Sequence, residues 1–279
     1  MNGYRISMME PYDIFKSFRS YTYSEGEFFP ERTDLLMEMP LEIIINSQSQ
    51  VLIMFTPQMI RELVFGFIFT EGLIRTITEI EMCEISHVRK PDGDELIEAR
   101  VTIPSTDLCN QAGREKRVSY SSCGICGKDN YLGLKSGMTR VKSACRFSMD
   151  VIKGIRNRMT DFQPLYNKTG GAHAAILFDQ GGNPVVKSED MGRHNALDKV
   201  IGSTLINDIP RDDKILFSSG RASLEMILKT ARAGFPVFVA KSRPTSKAVE
   251  AAKFYNITLI DLAKDTNRIY SHARRIKGF

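Results

Sequence analysis

The sequence has no apolar run long enough to cross a bilayer, no apolar leader at its start, and few cysteines or histidines (five and four). Each absence excludes a class. The most apolar stretch, "MIRELVFGFIFTEGLI", is shorter than the roughly 20 residues of a membrane helix and carries Arg61, Glu62 and Glu71, so it reads as a buried core helix. "MNGYRISMMEPYDIFKSF" is polar where a signal peptide needs an apolar segment, and the expectation is a cytoplasmic protein. Thiols stay reduced there, and an odd number of cysteines argues against a disulfide scaffold. Neither a Walker loop nor a GxGxxG fingerprint occurs, which disfavours a standard ATPase or nicotinamide enzyme.

Charge is unevenly placed. Residues 1–115 hold 10 Lys+Arg against 19 Asp+Glu, and the rest of the chain holds 28 against 14. A reversal from −9 to +14 suggests a boundary near residue 115 and a second half that faces something anionic. The hydrophobic pattern changes at the same place. Before it, "LEIIIN" and "VLIMF" read as strands, Thr56-Pro57 as a helix start, and "CEISHV" with "LIEARVTI" as a hairpin, while residues 1–35 show no period. After it come a helical "SMDVIKGIRNRMTDF" and the hairpin "HAAILFD"/"PVVKSED". A helix from about Asn195 to Ile206 follows, then strands "KILFSS", "PVFVAK" and "ITLIDL" separated by helices. The expected fold class is α/β. A three-layer α/β/α C-terminal domain with a mixed sheet (residues 116–279) adjoins a smaller α+β N-terminal domain (residues 1–115).

Ligands of such sheets sit at the carboxyl ends of the strands. Three segments there pair small or hydroxyl residues with an arginine ahead of a helix: Gly192–Asn195 ("GRHN"), Gly220–Ser223 ("GRAS") and Ser242–Lys247 ("SRPTSK"). Together they point to a phosphate-bearing ligand. His194 could bind ligand or move protons, or simply hydrogen-bond near a helix start. His173, after "TGG", is a similar candidate.

"SSCGICGK", Ser121 to Lys128, pairs Cys123 with Cys126. Gly124 and Gly127 give backbone freedom, and Lys128 would favour the thiolate. The spacing allows dithiol exchange, sulfane carriage or half of a zinc site. Zinc needs two more ligands. Cys145 and His173 would complete a Cys3His set, but their spacing matches no zinc motif, and no metal is expected.

"SSCGICGK", "TGGAHAAILFD", "EDMGRHNALDKVIG", "SSGRASLEMILKTARAG" and "RPTSKAVEAA", in this order and behind "EMPLEIIIN" and "TPQMIRELVFGFIFTEGLI", resemble the formate dehydrogenase accessory sulfurtransferases, the FdhD family. The resemblance runs from about residue 38 to 276. It implies a sulfur carrier that takes persulfide sulfur from a cysteine desulfurase. It passes the sulfur to the molybdenum or tungsten bis-pterin guanine dinucleotide cofactor of formate dehydrogenase. It further implies a cytidine deaminase-like C-terminal fold without deaminase zinc, and a homodimer. Cys123 would bear the persulfide with Cys126 as its partner. The segment Leu262, Ala263, Lys264, Asp265, Thr266 and Asn267 would contact the cofactor, whose site a guanine nucleotide such as GDP can occupy. The pyrophosphates would lie on Gly192, Arg193, His194 and Asn195 and on Ser219, Gly220 and Arg221. No nucleic-acid or membrane partner is expected. Residues 1–35, acidic and aromatic, suit a contact with the desulfurase or the client enzyme. Two other readings remain. One is a cofactor-insertion chaperone that moves no sulfur. The other is a zinc-containing hydrolase or deaminase relative with Glu189 or Asp190 as its carboxylate.

Overall fold

The computed structural model describes residues 12–104, 117–119, 138–263 and 267–279. Their strands form three sheets. β1 (Phe15–Ser24) and β2 (Glu27–Leu36) make a separate antiparallel hairpin. The second sheet contains β3 (Met39–Ile45), β4 (Gln48–Phe55), β5 (Met82–Arg89), β6 (Glu95–Thr102) and β7 (Arg117–Ser119), in the order β5-β6-β3-β4-β7. The third contains β8 (His173–Phe178), β9 (Pro184–Asp190), β10 (Ile215–Arg221), β11 (Val237–Ser242), β12 (Thr258–Asp261) and β13 (Arg268–Ile269), in the order β13-β12-β11-β10-β8-β9. β10, β11 and β12 run parallel, and β8, β9 and β13 run antiparallel to their neighbours, so this sheet is mixed as expected.

Alternation along the central strands sends side chains to two cores. Leu177, Leu216, Phe238 and Leu259 face α4 (Arg193–Ile206), α5 (Leu224–Ala233) and α6 (Ser246–Tyr255). Ile176, Phe217, Val239 and Ile260 face α2 (Met149–Asn157) and the short turn of helix at Met159–Phe162. The result is three layers. Capping explains where the crossover helices begin and stop. The Ser223 hydroxyl accepts from the Met226 amide, and Gly234 closes α5 in the left-handed region. Thr245 and Asn256 do the same for α6.

α1 (Ile60–Thr70) packs on α4 with no room between the backbones. A Cβ built on Gly66 would sit 1.9 Å from the Asp198 carbonyl oxygen, and one on Gly202 1.9 Å from that of Glu62. Two buried ion pairs lie beside the contact. Lys229 meets Asp198 at 2.6 Å, with Thr70 donating to the same carboxylate, and Lys199 meets Asp190 at 2.5 Å.

Two elements differ from the sequence expectation. Residues 15–36, which show no period, form β1 and β2. Aromatics stand on both faces of this hairpin and neither face is buried in a core, so no apolar/polar alternation is written into it. The helix expected at Thr56-Pro57 begins instead at Ile60, after Met59 in the left-handed region (φ 52°). Thr56 is engaged elsewhere. Its hydroxyl accepts from the Met191 amide and its amide donates to Asp190. No helix among the described residues is long and apolar enough to cross a membrane.

Candidate functional site

A cavity of about 600 Å³ opens at the carboxyl edge of the mixed sheet. Ser219 enters from β10, Lys241 and Ser242 from β11, with Arg243 just beyond, and Ala263 from the segment after β12. His173 joins them because β8 runs against β10, which brings its first residue to the edge where the parallel strands finish. The outer wall is α3 (Pro164–Thr169) with Gly170 and Gly171, and it presents Tyr166 to the cavity. Lys241 lies 5.9 Å from the Tyr166 ring.

Glu189 holds that wall in place. Its carboxylate accepts from the amides of Leu165 and Tyr166, both at 2.8 Å. Burial nevertheless pushes its pKa up against those two bonds. Asp190, one residue on, accepts from Thr56, Gly192 and Asn195 as well as from Lys199. Both carboxylates are therefore engaged, Glu189 with backbone amides and Asp190 with backbone amides, the Asn195 side chain and the Lys199 ammonium. Asp190 in particular fixes the turn from which Arg193 projects.

The Arg193 side chain lies along Gly220, where a built Cβ would come within 3.0 Å of its Cδ. Glycine at 220 leaves the lane Arg193 occupies beside Ser219. The Arg193 Nε has no hydrogen-bond partner among the described residues. Ser219 accepts from the Ala174 amide at 2.9 Å and stands 3.4 Å from His173 Nδ1. Burial first, and then the Arg193 charge, hold the His173 pKa below the usual histidine range, with Asp190 opposing. At neutral pH the His173 ring is uncharged. Arg221, Lys241 and Arg243 are exposed. The cavity thus has a cationic margin, hydroxyls at its floor and an aromatic wall, a set suited to phosphate with an attached ring system.

The expected residues divide. Arg193, Ser219, Gly220 and Ala263 meet at or beside the cavity. Leu262 is buried in the core below it, and Asn267 is half-buried after β12. His194 turns inward to Glu225, 3.2 Å away, and Asn195 donates to the Met54 carbonyl and to Asp190. Their positions support the Arg193 turn from beneath. Cys123, Cys126, Lys264, Asp265 and Thr266 lie outside the described residues. β7 pairs in parallel with β4 and ends at Ser119, four residues before Cys123. No group of three or more potential metal ligands occurs among the described residues. Tyr166 and Lys241 were not singled out by the sequence. The only local signal for the wall is the Pro164 start and Gly170 stop of a one-turn helix just before β8.

The FdhD/NarQ family model matches residues 36–277. Similar curated proteins include the sulfur carrier protein FdhD of Thermoplasma acidophilum, 37% identical with 92% of each chain covered. The protein of that name from Sulfolobus acidocaldarius is 36% identical, with 86% of this chain and 90% of the relative covered. That of Bacillus subtilis is 33% identical, with 92% and 95% covered. A crystal structure from Desulfotalea psychrophila, assigned as a formate dehydrogenase accessory protein, superposes with a TM-score of 0.71 at 22% identity. It covers 95% of this chain and 100% of its own, and so shares the fold.

Proposed function

This chain belongs to the FdhD/NarQ family, and from that premise we propose that it is a sulfur carrier for formate dehydrogenase maturation. The Cys123 thiolate attacks the terminal sulfur of a cysteine desulfurase persulfide. A new S–S bond forms at Cys123, the donor S–S bond breaks, and the donor cysteine leaves as thiolate. Cys126 follows three residues on in the sequence, a spacing that lets a second thiol receive or resolve the sulfur. The acceptor is the molybdenum or tungsten bis-pterin guanine dinucleotide cofactor, a cargo molecule bound by its anionic arms.

The observation that carries the reading is the cavity lined by Lys241 and Arg243, with Arg193 lying along the neighbouring Gly220, on a chain whose relatives are named sulfur carriers. Its volume of about 600 Å³ suits one nucleotide arm rather than the whole cofactor. The arm's phosphates would meet Arg193, Lys241 and Arg243, its ring would lie against Tyr166, and the uncharged His173 would donate or accept one hydrogen bond. The cytidine deaminase-like character of the mixed-sheet layer, the division near residue 115 and a cytoplasmic location belong to the same reading.

The test is intact-protein mass spectrometry after incubation with a cysteine desulfurase and cysteine, beside a GDP titration. Gain of one reducible sulfur on the wild type but not on Cys123→Ala supports sulfur carriage. GDP binding with no sulfur gain on fully reduced protein would reduce the role to cofactor insertion.

A further inference from the structure

The outer wall of the cavity hangs on a side chain that does not line it. α3 (Pro164–Thr169) is six residues long, and a helix of that length is marginal on its own. Its N-cap residue, Gln163, gives its first amides no side-chain hydrogen bond. Buried without acceptors, those amides would be costly. Glu189, from β9, supplies what the local sequence lacks. One carboxylate oxygen takes the Leu165 amide and the other takes the Tyr166 amide. A negative charge there also complements the positive end of the helical turn. The anchor itself is firmly set. Glu189 is buried, its strand position pairs with Ala174 of β8, and its carbonyl accepts from the Gln58 side chain at 2.8 Å. The turn has less to hold it otherwise. Leu165 is buried, but Pro164, Tyr166, Asn167 and Lys168 are exposed.

We propose that Glu189 is a positioning residue that gives the cavity its selectivity for ring-bearing phosphates, by fixing Tyr166 as the face on which the ring stacks. The inference rests on the nucleotide reading of the cavity and adds the origin of its selectivity. The Tyr166 ring is 42% exposed at the cavity, and its hydroxyl has no hydrogen-bond partner among the described residues. Its direction is therefore set by the α3 backbone, which Glu189 holds. Lys241 and Arg243 line the same cavity, with the Lys241 ammonium 5.9 Å from the Tyr166 ring centroid. A phosphate held by these cations places an attached ring within reach of Tyr166. A bare phosphate reaches the cations and leaves Tyr166 untouched. Both Glu189 oxygens are occupied by amides, so the carboxylate acts on the ligand only through the wall. Glutamine at 189 would keep one acceptor and turn its NH2 group toward the second amide, donor against donor.

Calorimetric titration of the full chain with GDP and with inorganic pyrophosphate, beside amide hydrogen exchange, tests the proposal. Glu189→Gln should bind GDP about tenfold more weakly, the order that stacking on an aromatic ring contributes, and pyrophosphate within about twofold of wild type. Its Leu165 and Tyr166 amides should exchange about tenfold faster or more. Tyr166→Ala, at an exposed side chain, should show the same selective loss with both amides still protected. Glu189→Gln/Tyr166→Ala should lose no more than either variant alone, because both remove one contact. Glu189→Asp keeps the charge but withdraws it by a methylene, and it should show the same loss if the glutamine variant does not fold. GDP binding undiminished in the Glu189 variants, an equal loss for GDP and pyrophosphate, or additive losses of about a hundredfold would overturn the proposal and leave the nucleotide site standing. A wild type that does not bind GDP would overturn the nucleotide reading, and this inference with it.

Discussion

Gly66→Ala and Gly154→Ala are the same substitution in two helices, and the structure assigns them opposite signs. Alanine is the better helix former by about 1 kcal/mol. Gly154 lies in α2 with nothing within 4 Å of a built Cβ, so that preference should be expressed, stabilising the protein by about 0.5–1 kcal/mol. At Gly66 the Cβ lands 1.9 Å from the Asp198 carbonyl oxygen and 3.0 Å from the Gly202 amide nitrogen. Both are backbone and cannot rotate away. α1 and α4 must separate by more than about 1 Å, an overpacking cost of about 1–3 kcal/mol or more. The same movement pulls the Thr70 hydroxyl from the Asp198 carboxylate and Glu71 from Lys229. Losing a hydrogen bond to a charged group costs about 1.5–3 kcal/mol. The two costs together, less a propensity gain of about 1, leave a net loss of about 2–5 kcal/mol. Denaturant midpoints and thermal unfolding of the two variants measure it, and Gly66→Ala should lower the unfolding temperature by about 5–10 °C. A Gly66→Ala protein as stable as wild type, or more so, would refute the close α1–α4 crossing.

Asp190→Ala leaves the Lys199 ammonium buried and unpaired and frees the Gly192–Asn195 turn. It should cost about 3–5 kcal/mol in denaturant unfolding, whereas a loss under about 1 would mean Lys199 finds water or another partner. Arg193→Ala should weaken GDP binding about tenfold by calorimetry, the loss of one charge-assisted contact, with stability little changed; equal affinity would remove Arg193 from the site. His173 has a folded-state pKa below its unfolded value, so the unfolded chain takes up the proton first as pH falls. Stability from the neutral ring is present above about pH 6.5 and declines as the medium acidifies toward the folded pKa. His173→Gln should flatten that part of the stability–pH curve, and an unchanged slope would show that the ring is already solvated.

Much of the mixed sheet is legible in the sequence. "HAAILF", "ILFSS" and "VFVA" are continuous apolar runs because those strands are covered on both faces, and helices with hydroxyl caps separate the parallel ones. The β1–β2 arm is illegible for the converse reason: with no face packed in a core, its pattern obeys no period. Thr56 misleads because a helix cap and a tertiary acceptor look alike in sequence, and Met191, far along the chain, claims its hydroxyl. The site shows the same limit. "GRHN" marks the right turn, yet only the fold shows that Arg193 runs along Gly220 while His194 and Asn195 turn inward to Glu225 and Asp190. Tyr166 reaches the cavity through Glu189, two elements downstream, a connection no local motif carries.

The central claim is that sulfur rides on Cys123. Wild type, Cys123→Ala and Cys126→Ala, each incubated with a cysteine desulfurase and cysteine and weighed intact, test it directly. The account predicts one added sulfur on the wild type, removed by reductant and absent from Cys123→Ala. Full sulfur loading of Cys123→Ala would contradict it.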